Sequence, residues 1–228
     1  MNICVIPARG GSKRIPRKNI KMFQGKPIIA WSIATAQSSG LFAHVVVSTD
    51  DEEIAETARS LGAETPFMRP VELADDMAGT VPAIAHAVRA CEELGWVADN
   101  FCCIYPCAPF IREDDLLTGL KILEESGKDY VYPVVEYAHP VQRAMLRSEL
   151  GEMSFLNPEC ELARTQDLPK TYHDAGQFYW GTSSAWKALK RMHSGGIGLV
   201  IPHWRSVDID SADDWQRAEL LHQMMQRL

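Results

Sequence analysis

Short apolar runs alternate with longer segments of helical periodicity along most of the chain. The apolar, β-rich runs predict strands at 3–8, 44–50, 99–109 and 129–137, with a weaker strand at 63–70. Periodic apolar positions predict helices at 26–39, with Pro27 in its first turn, and at 51–62, 80–95, 113–126 and 211–228. This alternation is typical of an α/β fold with a mostly parallel sheet covered on both faces. We therefore expect a Rossmann-like three-layer architecture that binds ligands at the carboxyl ends of its strands.

Residues 138–172 depart from this rhythm, because they are polar and show no sustained periodicity. A structureless loop of that length is uncommon inside a compact domain. We therefore interpret 1–228 as a single domain and 138–172 as a small arm or insertion within it. We expect this arm to pack on a partner subunit.

Composition narrows the class of protein. The 228 residues carry a formal net charge of -7, which argues against general nucleic-acid binding. No apolar run approaches the roughly 20 residues of a membrane span, and the N-terminus lacks the order of a signal peptide. The six cysteines match no common zinc spacing, so we expect free, mostly buried thiols in a reducing cytoplasm.

The stretch VIPARGGSKRIPRKNI (5–20) concentrates positive charge in this acidic chain. Gly10 and Gly11 follow the first strand and allow the backbone to turn and expose its N–H groups, which favours anion binding. Arg9, Lys13 and Lys18 add cations beside that turn. The stretch matches neither the P-loop nor the dinucleotide fingerprint. Two interpretations therefore stay open: a phosphate-binding turn, or a tight structural turn with solvated basic side chains.

The stretch VDID (207–210) is the second feature. Its alternation predicts a strand with Asp208 and Asp210 on one face, where two carboxylates can grip one Mg²⁺. The alternative is helix capping, since Ser211 and Asp214 are spaced as a capping box. A basic turn opposite an acid pair is the combination that triphosphate chemistry needs.

Four motifs together resemble the acylneuraminate cytidylyltransferase family: IPARGGSKRIPRKNI, VVVSTDDEEIAE, RPVELADD and VDIDSADDWQRAE. This family makes CMP-sugars from CTP and nonulosonic acids. The resemblance implies a CTP site made of Ala8, Arg9, Gly10, Gly11, Ser12, Lys13, Lys18, Asn19, Arg69 and Thr80. It also implies Mg²⁺ as cofactor on Asp208 and Asp210, with Arg9 and Lys18 completing the catalytic set. A homodimer is typical of the family.

The sugar-facing motifs differ from those of sialic acid relatives. Where those relatives read QPTSPL and RPNG, this chain reads YPCAPF and HDAG. The resemblance here is to pseudaminic acid cytidylyltransferases, which implies pseudaminic acid as the sugar and, downstream, flagellin or surface-glycan modification. The implied sugar-binding residues are Tyr105, His173, Asp174 and Gln177.

Several alternatives stay open from the sequence. The same reaction could use N-acetylneuraminate, legionaminate or Kdo. A nucleotide-binding regulator without catalysis would share the fold, although the intact basic turn and acid pair argue against it. A P-loop-type kinase would need a motif that this chain lacks.

Overall fold

The structure is a computed structural model that describes residues 1–75 and 79–225 of the chain. Its strands are β1 (Asn2–Pro7), β2 (Met22–Phe23), β3 (Lys26–Pro27), β4 (His44–Ser48), β5 (Asn100–Ile104), β6 (Tyr130–Glu136), β7 (Met145–Arg147), β8 (Met153–Phe155), β9 (Tyr172–Asp174), β10 (Phe178–Thr182) and β11 (Ile197–Val200). Its helices are α1 (Ile29–Ser38), α2 (Glu52–Ser60), α3 (Thr80–Glu93), α4 (Glu113–Ser126), α5 (Ser183–Lys187) and α6 (Ala212–Met225). The end of the RPVELADD motif and the last three residues of the helix expected at 211–228 lie outside the described residues.

The central sheet has the strand order β11-β6-β10-β5-β1-β4, and β9 adds to β6. β1 runs parallel to both β4 and β5, and β11 runs parallel to β6. β10 is inserted between β5 and β6 and runs antiparallel to both. The mostly parallel sheet expected from the sequence is confirmed, and the reversed β10 is an addition that the apolar pattern does not reveal.

Alternate residues of β1 bury opposite faces of the sheet. Cys4 and Ile6 join a core with α1, α2 and α4, whereas Ile3 and Val5 join a core with α3 and α5. The three-layer architecture is therefore confirmed. No helix within 1–75 and 79–225 combines the length and apolar character needed to cross a membrane.

Two local expectations are wrong. Residues 63–70 form no strand, because only Glu64 bridges to Val46 before Pro66 and Pro70 interrupt the ladder. Pro27 does not begin α1; it lies in β3, which pairs with β2, and the helix begins at Ile29. By contrast, α4 spans the expected 113–126, and α3 begins at Thr80 as expected.

The segment 207–210 is not a strand, although its alternation is correct. Val207 and Ile209 are buried against α6, while Asp208 is exposed and Asp210 half-buried. The capping box is confirmed, because the Ser211 N–H donates to Asp214 Oδ2 at 2.8 Å and the Asp214 N–H donates to Ser211 Oγ at 3.2 Å.

The arm (residues 138–172) contains more structure than its sequence indicates. β7 and β8 form an antiparallel hairpin, and short 3-10 helices at Val141–Arg143, Pro158–Cys160 and Thr165–Asp167 flank it. Its end joins the main sheet, since β9 pairs with β6. The hairpin exposes large apolar side chains, including those of Met145, Leu146, Met153 and Leu156.

The turn after β1 is held by the end of β4. The Gly10 N–H donates to Asp50 Oδ1 at 3.0 Å. A Cβ on Gly10 would lie 2.6 Å from Asp51 Oδ2, so only glycine fits there without movement. Gly11 differs, because a Cβ there would meet no atom within 4 Å.

Arg17 also binds the basic turn to residues that follow β4. Its guanidinium binds both the Asp51 and Glu53 carboxylates, and Arg17 Nη2 lies 2.9 Å from Asp51 Oδ1. These bonds hold Arg17 at a φ of 54°, a region that few non-glycine residues occupy. Asp51 also caps α2 by accepting from the Ile54 N–H at 3.0 Å. The Arg17 hydrogen bond, with smaller help from backbone N–H groups, lowers the pKa of Asp51.

The contrast between the two glycines gives a matched pair of substitutions. Gly10→Ala should displace Asp51, weaken its ion pair and its helix cap, and lower the free energy of unfolding by about 2 kcal/mol. Gly11→Ala should change it by less than about 0.5 kcal/mol. Urea unfolding followed by circular dichroism measures both. Equal losses in the two variants would contradict the packing described here.

Candidate active site

A cleft of about 650 Å³ opens at the carboxyl ends of β1 and β5. The basic turn forms one side of it, the start of α3 another, and the segment 208–210 the side opposite the turn. Its lining includes Arg9, Ser12, Lys13, Arg14, Lys18, Asn19, Arg69, Thr80, Tyr105, Cys107, Gly176, Asp208 and Asp210. Residues more than 100 positions apart in the sequence therefore meet at one edge of the sheet, as the strand order requires.

The basic turn and the acid pair are already in contact. Lys18 Nζ donates to the Ile209 carbonyl oxygen at 2.7 Å and lies 3.3 Å from Asp210 Oδ1. Arg14 Nη2 lies 2.9 Å from Asp210 Oδ2. Arg14 is a cleft residue that sequence reasoning missed, although it belongs to the same basic stretch. These contacts show that cations of the basic turn neutralise the Asp210 carboxylate in this structure.

Asn19 stabilises the basic turn through side-chain hydrogen bonds. The residue is buried, its Nδ2 donates to the Arg9 carbonyl oxygen at 2.9 Å, and its Oδ1 accepts from Cys107 Sγ at 3.2 Å. Asn19 thereby ties the turn after β1 to the turn after β5. Ala8, Gly10 and Gly11 shape the same turn from outside the cleft lining, with the Ala8 N–H donating to the Ser48 carbonyl oxygen at 2.9 Å.

Asp208 and Asp210 point to the cleft and influence one another. Asp208 lies at the exposed rim of the cleft, yet its carboxyl group is partly desolvated. This desolvation, and to a smaller extent the nearby Asp210 charge, raises the pKa of Asp208. Two hard oxygen donors with mutual repulsion fit a divalent cation. In the described part of the chain no group of three or more His, Cys, Asp or Glu side chains is arranged to hold a metal ion.

Arg69 is buried at the back of the cleft. Its guanidinium donates to the Ser48 carbonyl oxygen and, from Nε, to Ser48 Oγ at 3.2 Å. Burial lowers the pKa of Arg69. The hydrogen bonds to Ser48 anchor the Arg69 side chain to the end of β4.

Thr80 and Tyr105 form a polar pair on the cleft wall. Thr80 Oγ1 and the Tyr105 hydroxyl are 2.9 Å apart. Thr80 is the first residue of α3, and Tyr105 directly follows β5, so two elements converge to place the pair.

The other three residues expected at the sugar do not line the cleft. His173 packs its ring against Tyr137, with centroids 4.7 Å apart. The Asp174 carboxylate accepts from the Tyr179 hydroxyl at 2.7 Å and the Gly176 N–H at 2.8 Å. Gln177 is buried and donates from Nε2 to the Arg205 carbonyl oxygen at 2.6 Å. Their direct contact with a sugar stays a prediction.

Tyr179 and His193 are polar groups that sequence reasoning did not single out. Tyr179 is buried in β10, and the ring of His193 bonds the Asp174 carboxylate at 2.8 Å. Alternation along β10 indicates which face Tyr179 occupies, but nothing in the sequence shows that it meets Asp174.

Comparison with known proteins identifies the family of this chain. A family model described as cytidylyltransferase matches residues 3–203. The chain is 39% identical over 98% of its length, and 97% of the relative's, to a pseudaminic acid cytidylyltransferase of Campylobacter jejuni. It is 28% identical, over the same shares, to a CMP-N,N'-diacetyllegionaminic acid synthase of Legionella pneumophila.

A solved structure shares the fold. The CMP:2-keto-3-deoxy-manno-octonic acid synthetase complexed with CTP superimposes with a TM-score of 0.71 at 18% identity, covering 100% of this chain and 99% of that one. The family match covers most of the chain, and the fold agrees with it. This chain is therefore a member of the cytidylyltransferase family.

Proposed function

We propose that this chain transfers CMP from CTP to the anomeric hydroxyl of pseudaminic acid, giving CMP-pseudaminic acid and pyrophosphate. The observation that carries the proposal is the 39% identity, over nearly the whole chain, to a pseudaminic acid cytidylyltransferase. The cleft supports it, because it sets a basic glycine turn against two carboxylates. In the reaction the anomeric oxygen bonds to the α-phosphorus, and the bond from that phosphorus to the β-phosphate bridging oxygen breaks.

The chain's own cations suit the charge that this step develops. Arg9, Lys13 and Lys18 all reach the cleft from the basic turn. Charge accumulates on the leaving pyrophosphate as the bond breaks, and fixed cations in a partly enclosed cleft stabilise it. The contact of Lys18 with the Ile209 carbonyl oxygen holds its ammonium between the turn and the acid pair.

Asp208 and Asp210 are the residues that would hold Mg²⁺. When bound, the ion would neutralise triphosphate charge and raise the electrophilicity of the phosphorus. The Arg14–Asp210 ion pair is largely exposed, so its rearrangement around a metal costs little.

A second candidate is the same transfer to a legionaminic acid, favoured by the similarity to the Legionella synthase. The higher identity to the pseudaminic acid enzyme decides between them. Both sugars are nonulosonic acids that carry acylamino groups.

We place the reaction in the cytoplasm, with the product used for flagellin or other surface glycans. All six cysteines are free, and Cys4, Cys91, Cys102 and Cys103 are buried. Burial raises the pKa of Cys91 to about 12, so this thiol stays protonated and unreactive. Free thiols suit a reducing compartment.

A homodimer is the proposed assembly, with the arm at the interface. Leu146 in β7 and Leu156 directly after β8 are 54% and 53% exposed. Light scattering should give the mass of a dimer. Leu146→Glu with Leu156→Glu should shift it toward a monomer, whereas Leu94→Glu, which changes an exposed leucine at the end of α3, should not. A monomeric native chain would contradict the assembly.

The proposed activity predicts pyrophosphate release from CTP with pseudaminic acid. The assay compares pseudaminic, N,N'-diacetyllegionaminic and N-acetylneuraminic acids and Kdo at equal concentrations. We expect kcat/KM to be highest with pseudaminic acid by at least tenfold. A preference for another acid would move the assignment to that sugar, and no release with any of them would contradict catalysis.

The metal assignment predicts a specific loss. Asp208→Asn should lower kcat/KM by roughly 100-fold and raise the Mg²⁺ concentration for half-maximal rate, because one anionic ligand is removed. Asp213→Asn is the matched control, since it removes an exposed carboxylate from α6 outside the cleft. An Asp208→Asn protein with native Mg²⁺ dependence would contradict the assignment.

A further inference from the structure

Lys18 reaches the cleft from a short turn that follows Arg17. Lys18–Ile20 form a 3-10 helix, and Arg17 immediately precedes it. The Arg17 carbonyl oxygen accepts hydrogen bonds from the Ile20 N–H and the Lys21 N–H, both at 3.0 Å. Lys18 lines the cleft, whereas Arg17 lies outside the cleft lining. The backbone conformation of Arg17 therefore sets the direction in which the turn carries Lys18 towards the cleft.

Arg17 has a left-handed backbone conformation, with a φ of 54° and a ψ of 31°. This region is unfavourable for a residue with a Cβ, because the Cβ comes too close to the following carbonyl oxygen. A non-glycine residue keeps such a conformation only where its surroundings fix it. Contacts of the side chain are therefore needed to hold the Arg17 backbone in place.

The Arg17 side chain is held by two carboxylates at the start of α2. Its guanidinium binds Asp51 and Glu53, and Arg17 Nη2 lies 2.9 Å from Asp51 Oδ1. Asp51 is itself fixed, because it caps α2 by accepting from the Ile54 N–H at 3.0 Å. A guanidinium bound to both oxygens of one carboxylate is restrained in orientation as well as in distance. The start of α2 therefore restrains the Arg17 side chain and, through it, the backbone of the turn.

Lys18 needs this restraint because its own side chain is flexible. A lysine carries its ammonium on a flexible four-carbon stem, so the position of the charge depends on the backbone from which the stem begins. In this structure Lys18 Nζ donates to the Ile209 carbonyl oxygen at 2.7 Å and lies 3.3 Å from Asp210 Oδ1. Both contacts require the turn to direct Lys18 towards the segment 208–210.

We propose that Arg17 is a positioning residue of this enzyme, because its ion pairs at the start of α2 hold the left-handed backbone from which Lys18 reaches the cleft. This inference rests on the proposed function, in which cations of the basic turn stabilise charge on the leaving pyrophosphate. Such an interaction strengthens in the transition state, so its loss lowers kcat more than it weakens substrate binding. Arg17 acts on the reaction through Lys18.

Arg59 provides a matched control for the loss of an ion pair. Arg59 Nη2 lies 2.6 Å from Glu52 Oε1 of α2, and Arg59 Nη1 donates to Thr65 Oγ1 at 2.7 Å. The Arg59 side chain is 46% exposed, compared with 37% for Arg17. Arg59 therefore makes a comparable ion pair on the same helix, with partners that lie outside the basic turn.

The first comparison is Arg17→Gln with Arg59→Gln. kcat and KM are measured by pyrophosphate release with CTP, Mg²⁺ and pseudaminic acid, and the Kd for CTP by calorimetry. We expect Arg17→Gln to lower kcat about tenfold and to change the Kd for CTP less than about threefold, and Arg59→Gln to change both less than about twofold. A native kcat in Arg17→Gln, or equal losses of kcat in the two variants, would overturn the proposal.

Arg17→Gly separates the backbone conformation from the charge of the side chain. This variant loses the same ion pairs as Arg17→Gln, but glycine adopts a φ of 54° without strain. We therefore expect its kcat to exceed that of Arg17→Gln by at least about threefold, with similar thermal unfolding temperatures for the two variants. Equal kcat values in Arg17→Gly and Arg17→Gln would contradict a role through the backbone.

Lys18→Gln tests whether Arg17 acts through Lys18. This variant should keep measurable turnover, because Arg9 and Lys13 still reach the cleft. Adding Arg17→Gln to it should lower kcat less than about twofold, because the group that Arg17 positions is already absent. If Arg17→Gln caused the same loss with and without the Lys18 ammonium, action through Lys18 would be refuted.

A crystal structure of Arg17→Gln gives a readout that does not depend on turnover. We expect Lys18 Nζ to lie beyond hydrogen-bond distance of the Ile209 carbonyl oxygen. An unchanged contact would overturn the proposal, whether or not the variant is active. A native chain that binds CTP but releases no pyrophosphate with any of the sugar acids tested would instead contradict the proposed function, and the crystal structure would still judge the role of Arg17.

Discussion

The shape of the candidate active-site cleft depends on the attachment of the basic turn to the residues that follow β4. Asp50 binds the Gly10 N–H, and Asp51 binds Arg17 while it caps α2. These bonds offset the mutual repulsion of the cationic side chains in the basic turn and keep the turn against the sheet. The lack of a Cβ on Gly10 allows the approach, so a steric constraint and an ion pair act on the same few atoms.

Charge in the cleft is balanced in two layers. Near the opening, Lys18 and Arg14 form partly exposed ion pairs with Asp210. Deeper in the protein, Arg69 is bound to the Ser48 carbonyl oxygen and is fixed. The two groups of contacts therefore differ in exposure: the ion pairs at the opening reach solvent, whereas the Arg69 contacts are buried.

Much of this arrangement could be predicted from the sequence, because local signals and tertiary structure agree. An apolar run followed by two glycines predicted β1 and its turn, and apolar periodicity predicted α4 with its observed bounds of 113–126. The strand prediction for 63–70 was wrong because it gave the apolar residues more weight than Pro66 and Pro70. The alternation at 207–210 placed the acid pair on one face even though no ladder forms there.

The remainder depends on contacts that no local pattern encodes. The direction of β10 cannot be read from its apolar residues, since parallel and antiparallel strands bury the same side chains. That reversed strand brings Tyr179 beside both Tyr105 and Asp174. Arg14 was overlooked for a different reason: five basic residues share the stretch 5–20, and only the folded turn shows which of them contact Asp210.

The central position of β10 also sets the timing of assembly during synthesis. β5 ends at Ile104, but the strand that covers its free edge begins at Phe178, and β6 joins β5 only through that strand. A nascent chain therefore carries an apolar, unpaired edge for about 4–15 s at usual translation rates. Such an edge is a template for pairing with other chains. The interval between the synthesis of these two strands is therefore the stage of assembly most open to wrong pairing between chains.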